Sequence, residues 1–315
     1  MKKIMCIKWI LSLVVMGGMG LTAELAGIQE IIFPETAALL TGCFLMPGRP
    51  WNVPHGIFTM EMGLSALAGI LVSRHMQLPL YFKVLTAVIV VFIFLVASRT
   101  SLLPAISACA LPVLIGTTDW IYVVAVLVIA AVCDLGNAVL ERYGMMEVCV
   151  YMREKRNYLH WGCMLLVFAL VLLLPMMTGL KFMVAPPLIV AFVSLCGPGN
   201  LKKNRPAGTV ILFTGTACIG FFCSILSKGS ILPQTVCIMI AAAGAWLLFS
   251  VMKRYFPPAA AIGVLPFLLP SEDLWKYPLE IMAGILFLYF AAWVVTIYET
   301  NRENRDRIGD TDGEF

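Results

Sequence analysis

Long apolar runs, separated by short polar segments, follow one another along most of the 315 residues. A straight membrane-spanning helix needs roughly 20 apolar residues, and in each set of six runs the second and fifth are shorter and contain proline. This pattern predicts an all-α membrane protein of about 12 transmembrane or partly re-entrant helices. The runs lie near residues 4–26, 30–46, 53–73, 78–98, 102–117 and 119–140, and then near 158–179, 182–198, 206–226, 231–252, 255–270 and 274–298.

Composition supports a polytopic membrane protein, because 61% of the residues are hydrophobic, 13% are charged and the mean hydropathy is +0.93. The net charge of +4 is small and its basic residues lie in short loops, so we predict no nucleic-acid partner. The ten cysteines lie mostly in apolar runs and lack the spacing of a redox or zinc site. We therefore expect reduced thiols, no metal and no other cofactor. The basic, then apolar, N-terminus resembles a signal peptide, but the second half has a matching run, so we interpret it as the first span.

Charge predicts the orientation of the helices. If all runs cross and the N-terminus is cytoplasmic, most basic residues fall on the inside, as the positive-inside rule requires. Both termini are then cytoplasmic in a multi-pass protein of the cell membrane. The alternative is that the short runs re-enter, which moves Arg49 and its counterparts outside. The predicted units are a first transmembrane repeat (1–140), a basic cytoplasmic linker (141–157), a second transmembrane repeat (158–298) and a disordered polar tail (299–315).

The two sets of runs match each other in prolines and glycines. A shift of 154 positions places Pro104, Pro112 and Asp119 on Pro258, Pro266 and Asp273. A shift of 152 pairs Pro34 and Gly56 with Pro186 and Gly208. We interpret this as a duplication, and an even number of crossings in each half makes the two six-segment repeats parallel.

Prolines interrupt the short runs, and each interruption frees a backbone hydrogen-bonding group. Such groups are costly in lipid, so the breaks are expected to face the protein interior, where solutes commonly bind between repeats. Kinks that only improve packing are the alternative. The breaks, which we predict to line a substrate pathway, are at Pro34, Pro104, Pro186, Pro187, Pro257 and Pro258.

Three segments carry a family resemblance. "FPETAALLTGCFLMPGRPWNVPHGIFTMEMGLSALAGIL" (33–71) and "VAPPLIVAFVSLCGPGNLKKNRPAGTVILFTGTACIGFF" (184–222) resemble the HPP integral membrane family. "RYFPPAAAIGVLPFLL" (254–269) is similar to the His-Pro-Pro-Ala segment that names the family, although Phe256, and Leu102 in the first half, stand where the histidine would be. The family includes a nitrite transporter of chloroplasts. The resemblance implies a transporter, with a small anion such as nitrite as a candidate solute.

Ionisable residues inside membrane spans are functional candidates. Glu35 follows Pro34 at the start of a short run, where it either caps its own helix through the dipole or serves as a proton-linked group. Glu61 and His55 are six positions apart, which is roughly 9 Å along a helix, so we expect no direct contact. We assign Glu35, Glu61 and His55 to the substrate pathway. Asp134 is expected to pair with Arg142 or with another helix.

Basic residues near the broken runs are candidates for attracting an anion, although orientation alone also explains them. These residues are Arg49, Arg99, Lys203, Arg205, Lys253 and Arg254.

No nucleotide loop, zinc-protease motif or serine-hydrolase motif occurs, so an enzyme is not expected. The leading hypothesis is a secondary transporter or facilitator of a small molecule or ion, in contact with the lipid bilayer and a possible homo-oligomer. The alternative is a membrane scaffold or sensor that acts through the linker and tail.

Overall fold

Helices form all the regular structure of the described residues, which are 2–148, 151 and 158–311 of this computed structural model, with the side chains of 2, 301 and 303–311 left undescribed. Three 3-10 turns (Gln29–Ile31, Lys181–Val184, Leu265–Leu268) and one π turn (Thr41–Leu45) accompany them. In chain order the helices are α1 (Lys2–Ala26), α2 (Glu35–Leu40), α3 (Ile57–His75), α4 (Leu80–Ser98), α5 (Pro104–Ile115), α6 (Ile121–Arg142), α7 (Tyr158–Thr178), α8 (Pro186–Cys196), α9 (Asn200–Lys203), α10 (Pro206–Lys228), α11 (Gln234–Met252), α12 (Pro257–Val264), α13 (Ser271–Leu274) and α14 (Tyr277–Thr311).

Eight helices in the described part of the chain are long and apolar enough to cross a membrane. Their outer faces expose large hydrophobic side chains such as Leu25, Met177 and Val251, which are 79%, 83% and 71% exposed. Exposing such a large apolar surface to water is unfavourable, whereas exposing it to the hydrocarbon of a bilayer is not. The chain is therefore a membrane protein built from α-helices. The eight helices are α1, α3, α4, α6, α7, α10, α11 and α14.

The four runs predicted to be broken fold as short helices in the interior. Every residue of α2 and α12 is buried, as is every residue of α5 except Ile115 and of α8 except Ser194. Proline occupies the first turn of α5, α8 and α12, where its missing N–H costs no helical hydrogen bond. Helix α2 packs against α12 and α5, and α8 packs against the same two helices. The long helices enclose this central group.

Contacts between loops define two ends of the molecule. At one end, the backbone N–H of Asn52 donates to the Ser101 hydroxyl at 2.8 Å, and Arg49 forms an ion pair with Glu141. Loops 197–205 and 253–256 lie at the same end, which we call the linker end because residues 143–148 extend from it. At the opposite end, Lys181 pairs with Asp273 at 3.1 Å.

Several contacts in residues 2–142 have a counterpart in residues 158–311. The Tyr122 hydroxyl donates to the Ala108 carbonyl at 2.8 Å, and the Tyr277 hydroxyl donates to the Ile262 carbonyl at 2.7 Å. Each tyrosine ring also meets a phenylalanine at 5.9 Å between ring centres, Phe33 in the first case. The same order of long and short helices therefore carries the same contacts in both halves.

The backbone at the ends of α4 and α11 is matched as well. Arg99 and Lys253 terminate these helices with φ values of 56° and 52°, in the left-handed region that few residues other than glycine adopt. Each turn leads directly into a short interior helix.

Helix α14 ends at Thr311, within the segment predicted as a disordered tail. Much of the predicted linker, namely residues 149, 150 and 152–157, lies outside the described residues.

Candidate functional site

A central cavity of about 60 Å³ lies among the four short helices. Each helix contributes a residue from its first turn to the lining: Glu35 from α2, Pro104 from α5, Pro187 from α8, and Pro257 with Pro258 from α12. Four of the predicted proline breaks therefore meet at one place, between the two halves. Such a position, where interrupted helices end inside the protein, is typical of solute sites in secondary transporters.

Glu35 is the ionisable residue among the described residues that line this cavity, and its side chain is 1% exposed. The Ser107 hydroxyl of α5 donates a hydrogen bond to Glu35 Oε1. The other carboxylate oxygen, Oε2, is buried without a hydrogen-bond partner in the described structure. Because Glu35 is the first residue of α2, the helix dipole favours its negative charge. The cavity thus holds a carboxylate with one oxygen available to a ligand.

The rest of the lining is mostly apolar. Trp51 and Phe256 contribute aromatic rings, and Ser107 and Ser194 contribute hydroxyl groups. No basic side chain is present among the described residues that line the cavity. The site therefore combines a single acid with aromatic and aliphatic surface.

A second and much larger cavity, the vestibule, opens at the linker end with a volume of about 790 Å³. Polar groups line it, including Asn200 and an ion pair between His160 and Glu299. The vestibule and the central cavity share three lining residues, Pro50, Leu103 and Ser194. These three residues form the boundary between the two spaces, so the central cavity adjoins the vestibule at the linker end.

Glu61 does not line the central cavity, although the sequence placed it on the pathway. It is 5% exposed, and the Thr100 hydroxyl lies 2.7 and 2.8 Å from its two carboxylate oxygens. Thr100 follows the left-handed turn at Arg99, so this contact holds the end of α4 against α3. The single hydroxyl hydrogen is shared between the two oxygens of a residue that lies away from the central cavity.

His55 also lies outside the central cavity. Its Nδ1 is 2.5 Å from Asp134 Oδ1 and its Nε2 is 3.2 Å from Glu141 Oε2. Asp134 also accepts a hydrogen bond of 2.7 Å from the backbone N–H of Gly56. Asp134 was expected to pair with Arg142 or with another helix, but its partners are His55 and Gly56 in the loop before α3.

We call residues 46–56, between the π turn and α3, the strap. Arg49 and His55, near its two ends, are both paired with α6. Between them, Pro50 and Trp51 line the central cavity, and their rings pack against Gly42, where any side chain would collide with Trp51. The strap is therefore fastened on both sides of the two residues that cover the site.

The other basic candidates lie at the linker end, outside the central cavity. Arg99, Lys203, Arg205 and Lys253 are exposed, and the Arg254 guanidinium packs beside Gly208 at the start of α10. Their role in attracting an anion stays a prediction.

Reasoning from the sequence missed Ser107, Ser194, Trp51 and Phe256 as lining residues. The only available signal was the position of Ser107, one helical turn after Pro104.

No family model matches this chain, and neither a curated protein nor a solved structure matches it. The functional argument therefore rests on the geometry of the central cavity and its surroundings.

Proposed function

We propose that this protein is a secondary transporter or facilitator that moves a small solute through the central cavity. The observation that carries the proposal is the buried Glu35 carboxylate, which has one unpaired oxygen in a cavity formed by the ends of four interrupted helices. A buried polar group without a partner costs free energy in a purely structural protein. At a solute site that cost is offset when the ligand binds.

The matched contacts of the two halves support a pathway between two parallel repeats. Tyr122 and Tyr277 make equivalent hydrogen bonds, and both left-handed turns precede a short helix. We infer that each short helix, with the extended residues beside it, completes a crossing, which gives twelve segments in two groups of six. In such an arrangement the central cavity lies on a pseudo-two-fold axis along the membrane normal.

The distribution of charge supports cytoplasmic termini in a cell membrane. The linker end carries most of the basic residues of the described part, while the opposite end carries five: Arg74, Lys83, Lys181, Lys228 and Lys276. Excess positive charge marks the cytoplasmic side. The vestibule then opens to the cytoplasm.

Membership of the HPP integral membrane family, and a function other than that of an enzyme, remain parts of this proposal. The scaffold or sensor alternative depends on the segment 141–157, of which residues 149, 150 and 152–157 lie outside the described structure. No observation in the described part favours it over transport.

Filling the central cavity tests the proposal. Ala261 is fully buried and lines the cavity, so Ala261→Leu places added methyl groups in the space that the solute needs. The cavity of about 60 Å³ cannot hold both a leucine side chain and a solute, so we expect solute uptake to be largely lost while the protein remains folded. Uptake is measured in proteoliposomes with a panel of small radiolabelled cations, anions and neutral molecules.

Ala131→Leu is the matched control, because Ala131 is exposed on the outer face of α6. It adds the same atoms where only lipid contacts them, so uptake should stay unchanged. If the wild-type protein moves no solute of the panel faster than empty vesicles do, the proposed function is refuted. Equal uptake by both variants would place the pathway elsewhere.

A further inference from the structure

We infer that the central cavity binds a small monovalent cation with N–H donors, of the ammonium or guanidinium class. This assignment rests on the proposed function and specifies its solute. It differs from the small anion that the family resemblance implies. Four features of the cavity carry the assignment: its acid, its lack of basic side chains among the described lining residues, its aromatic rings and its size.

The acid is the first feature. Glu35 is 1% exposed and only its Oε1 accepts a hydrogen bond, from Ser107. Its Oε2 has no partner in the described structure and lies on a cavity. A buried carboxylate is strongly unfavourable unless a positive charge or donors accompany it. A cation with an N–H group supplies both at the open oxygen.

The second feature is the shortage of donors for an anion. Helix N-termini can bind anions through free N–H groups, but here the early N–H groups of the short helices already donate to carbonyls of the preceding turn. Among the described residues that line the cavity, no basic side chain compensates. An anion would therefore meet a carboxylate without a positive partner. The occupied N–H groups are those of Thr36, Ala37, Ala105, Ile106, Leu188, Ile189 and Ala259.

The aromatic residues of the lining are the third feature. Trp51 and Phe256 are 8% and 6% exposed and line the cavity on the strap side and the α12 side. The electron-rich face of an aromatic ring attracts a cation, by about 2 kcal/mol or more where water is excluded. The same ring offers an anion only its edge. Phe256 occupies the position where the family resemblance would place histidine, so aromatic surface replaces a titratable ring here.

The fourth feature is the volume of about 60 Å³. One water molecule needs only about 10–15 Å³ of such space, so the cavity admits a small solute of several non-hydrogen atoms. Ammonium, methylammonium and guanidinium are small enough to enter it.

The test uses the full-length protein in proteoliposomes held at an inside-negative potential, with radiolabelled guanidinium as the probe because it stays charged at neutral pH. We expect saturable uptake that ammonium inhibits and that nitrite and formate do not. Glu35→Gln keeps the shape of the side chain and removes its charge. Loss of one charge-assisted hydrogen bond is worth about 1.5–3 kcal/mol, so guanidinium uptake should fall about tenfold to a hundredfold.

Glu272→Gln is the control, since Glu272 is exposed on α13 at the opposite end. It should retain full uptake. Glu35→Asp keeps the charge and should retain part of the uptake, and size-exclusion profiles report whether each variant is folded. If Glu35→Gln does not fold, the wild-type competition between guanidinium, ammonium and nitrite decides.

The possible outcomes separate the two proposals. Saturable uptake of nitrite or formate without uptake of guanidinium would overturn the cation assignment and leave transport intact. Guanidinium uptake that survives in folded Glu35→Gln would also overturn it. If no solute moves at all, both the cation assignment and transport fail.

Discussion

At the scale of single residues, the molecule holds two buried acids with different surroundings. Both oxygens of Glu61 lie within 2.8 Å of the Thr100 hydroxyl, whereas Glu35 keeps one oxygen unpaired beside a cavity. The Thr100 hydroxyl reaches both oxygens of Glu61, which lies away from the central cavity, whereas the open oxygen of Glu35 can accept a donor from a ligand. The sequence alone ranked Glu61 beside Glu35, because both are acids in apolar runs. Their hydrogen bonds distinguish them.

Two glycines permit the closest approach of long and short helices. A Cβ atom on Gly69 would lie 2.3 Å from the Cys109 carbonyl oxygen, and one on Gly220 would lie 2.2 Å from the Gly263 carbonyl oxygen. Close backbone contact through small residues is a common way for helices to pack in membranes. Because the obstacle is backbone, it cannot rotate away as a side chain can.

We therefore predict that Gly69→Ala and Gly220→Ala each lower the free energy of unfolding by about 1–3 kcal/mol. The measurement is the thermal unfolding midpoint of the purified protein in detergent. Gly18→Ala is the matched control, because nothing lies within 4 Å of the added Cβ. It should leave the midpoint unchanged or raise it, since alanine favours helix over glycine. Equal midpoints for all three variants would show that the interfaces are looser than described.

At the scale of elements, the strap connects the site to α6. Its residues Pro50 and Trp51 line the central cavity, and Pro50 also lines the vestibule. Pairs from Arg49 to Glu141 and from His55 to Asp134 fasten it. Opening the cavity to the vestibule requires movement at this boundary. The pairs therefore determine how readily the strap moves.

Glu141→Gln is predicted to loosen the strap, because it removes the charge that Arg49 and His55 both contact. The Arg49 and Glu141 side chains are only 13% and 10% exposed, so losing one partner costs more than the ~1 kcal/mol of a surface pair. Amide hydrogen exchange in residues 46–56 should therefore quicken by roughly fivefold or more. Hydrogen–deuterium exchange mass spectrometry measures this directly. Arg142→Gln, the neighbouring exposed position, should leave the strap unchanged. Unaltered exchange in Glu141→Gln would mean that packing alone holds the strap.

The sequence predicted the positions of the helices better than the contacts between them. Uninterrupted apolar runs of the necessary length correctly indicated eight long helices, and prolines indicated where the four short ones begin. The site itself depends on contacts between residues distant in sequence. Glu35 meets Ser107 across 72 positions, and His55 meets Asp134 across 79. Apolar periodicity does not encode which helices are adjacent, so these partners could not be read from the sequence.

At the scale of the whole molecule, the decisive question is whether the short helices complete crossings of the membrane. The contacts put residues 99–103 at the linker end, with Ser101 bonded to Asn52. Residues 116–120 lie at the opposite end, where Trp120 stacks with Arg74 at 5.7 Å. Helix α5 has only 12 residues, about 18 Å of helix, so the turns on either side of it must span the remaining depth.

Cysteine labelling resolves this question. We predict that a membrane-impermeant maleimide applied to intact cells modifies Asp119→Cys and leaves Arg99→Cys unmodified until the membrane is permeabilised. Both positions are exposed, so access to the reagent depends on the side of the membrane. The unsubstituted chain gives the background from its own thiols. If α5 re-entered the membrane without crossing, both positions would react alike. Each half would have four crossings only if both of its short helices re-entered, and Arg99 would then lie outside. The positive-inside distribution favours the first result, because it keeps Arg49, Arg99, Lys253 and Arg254 together at the linker end.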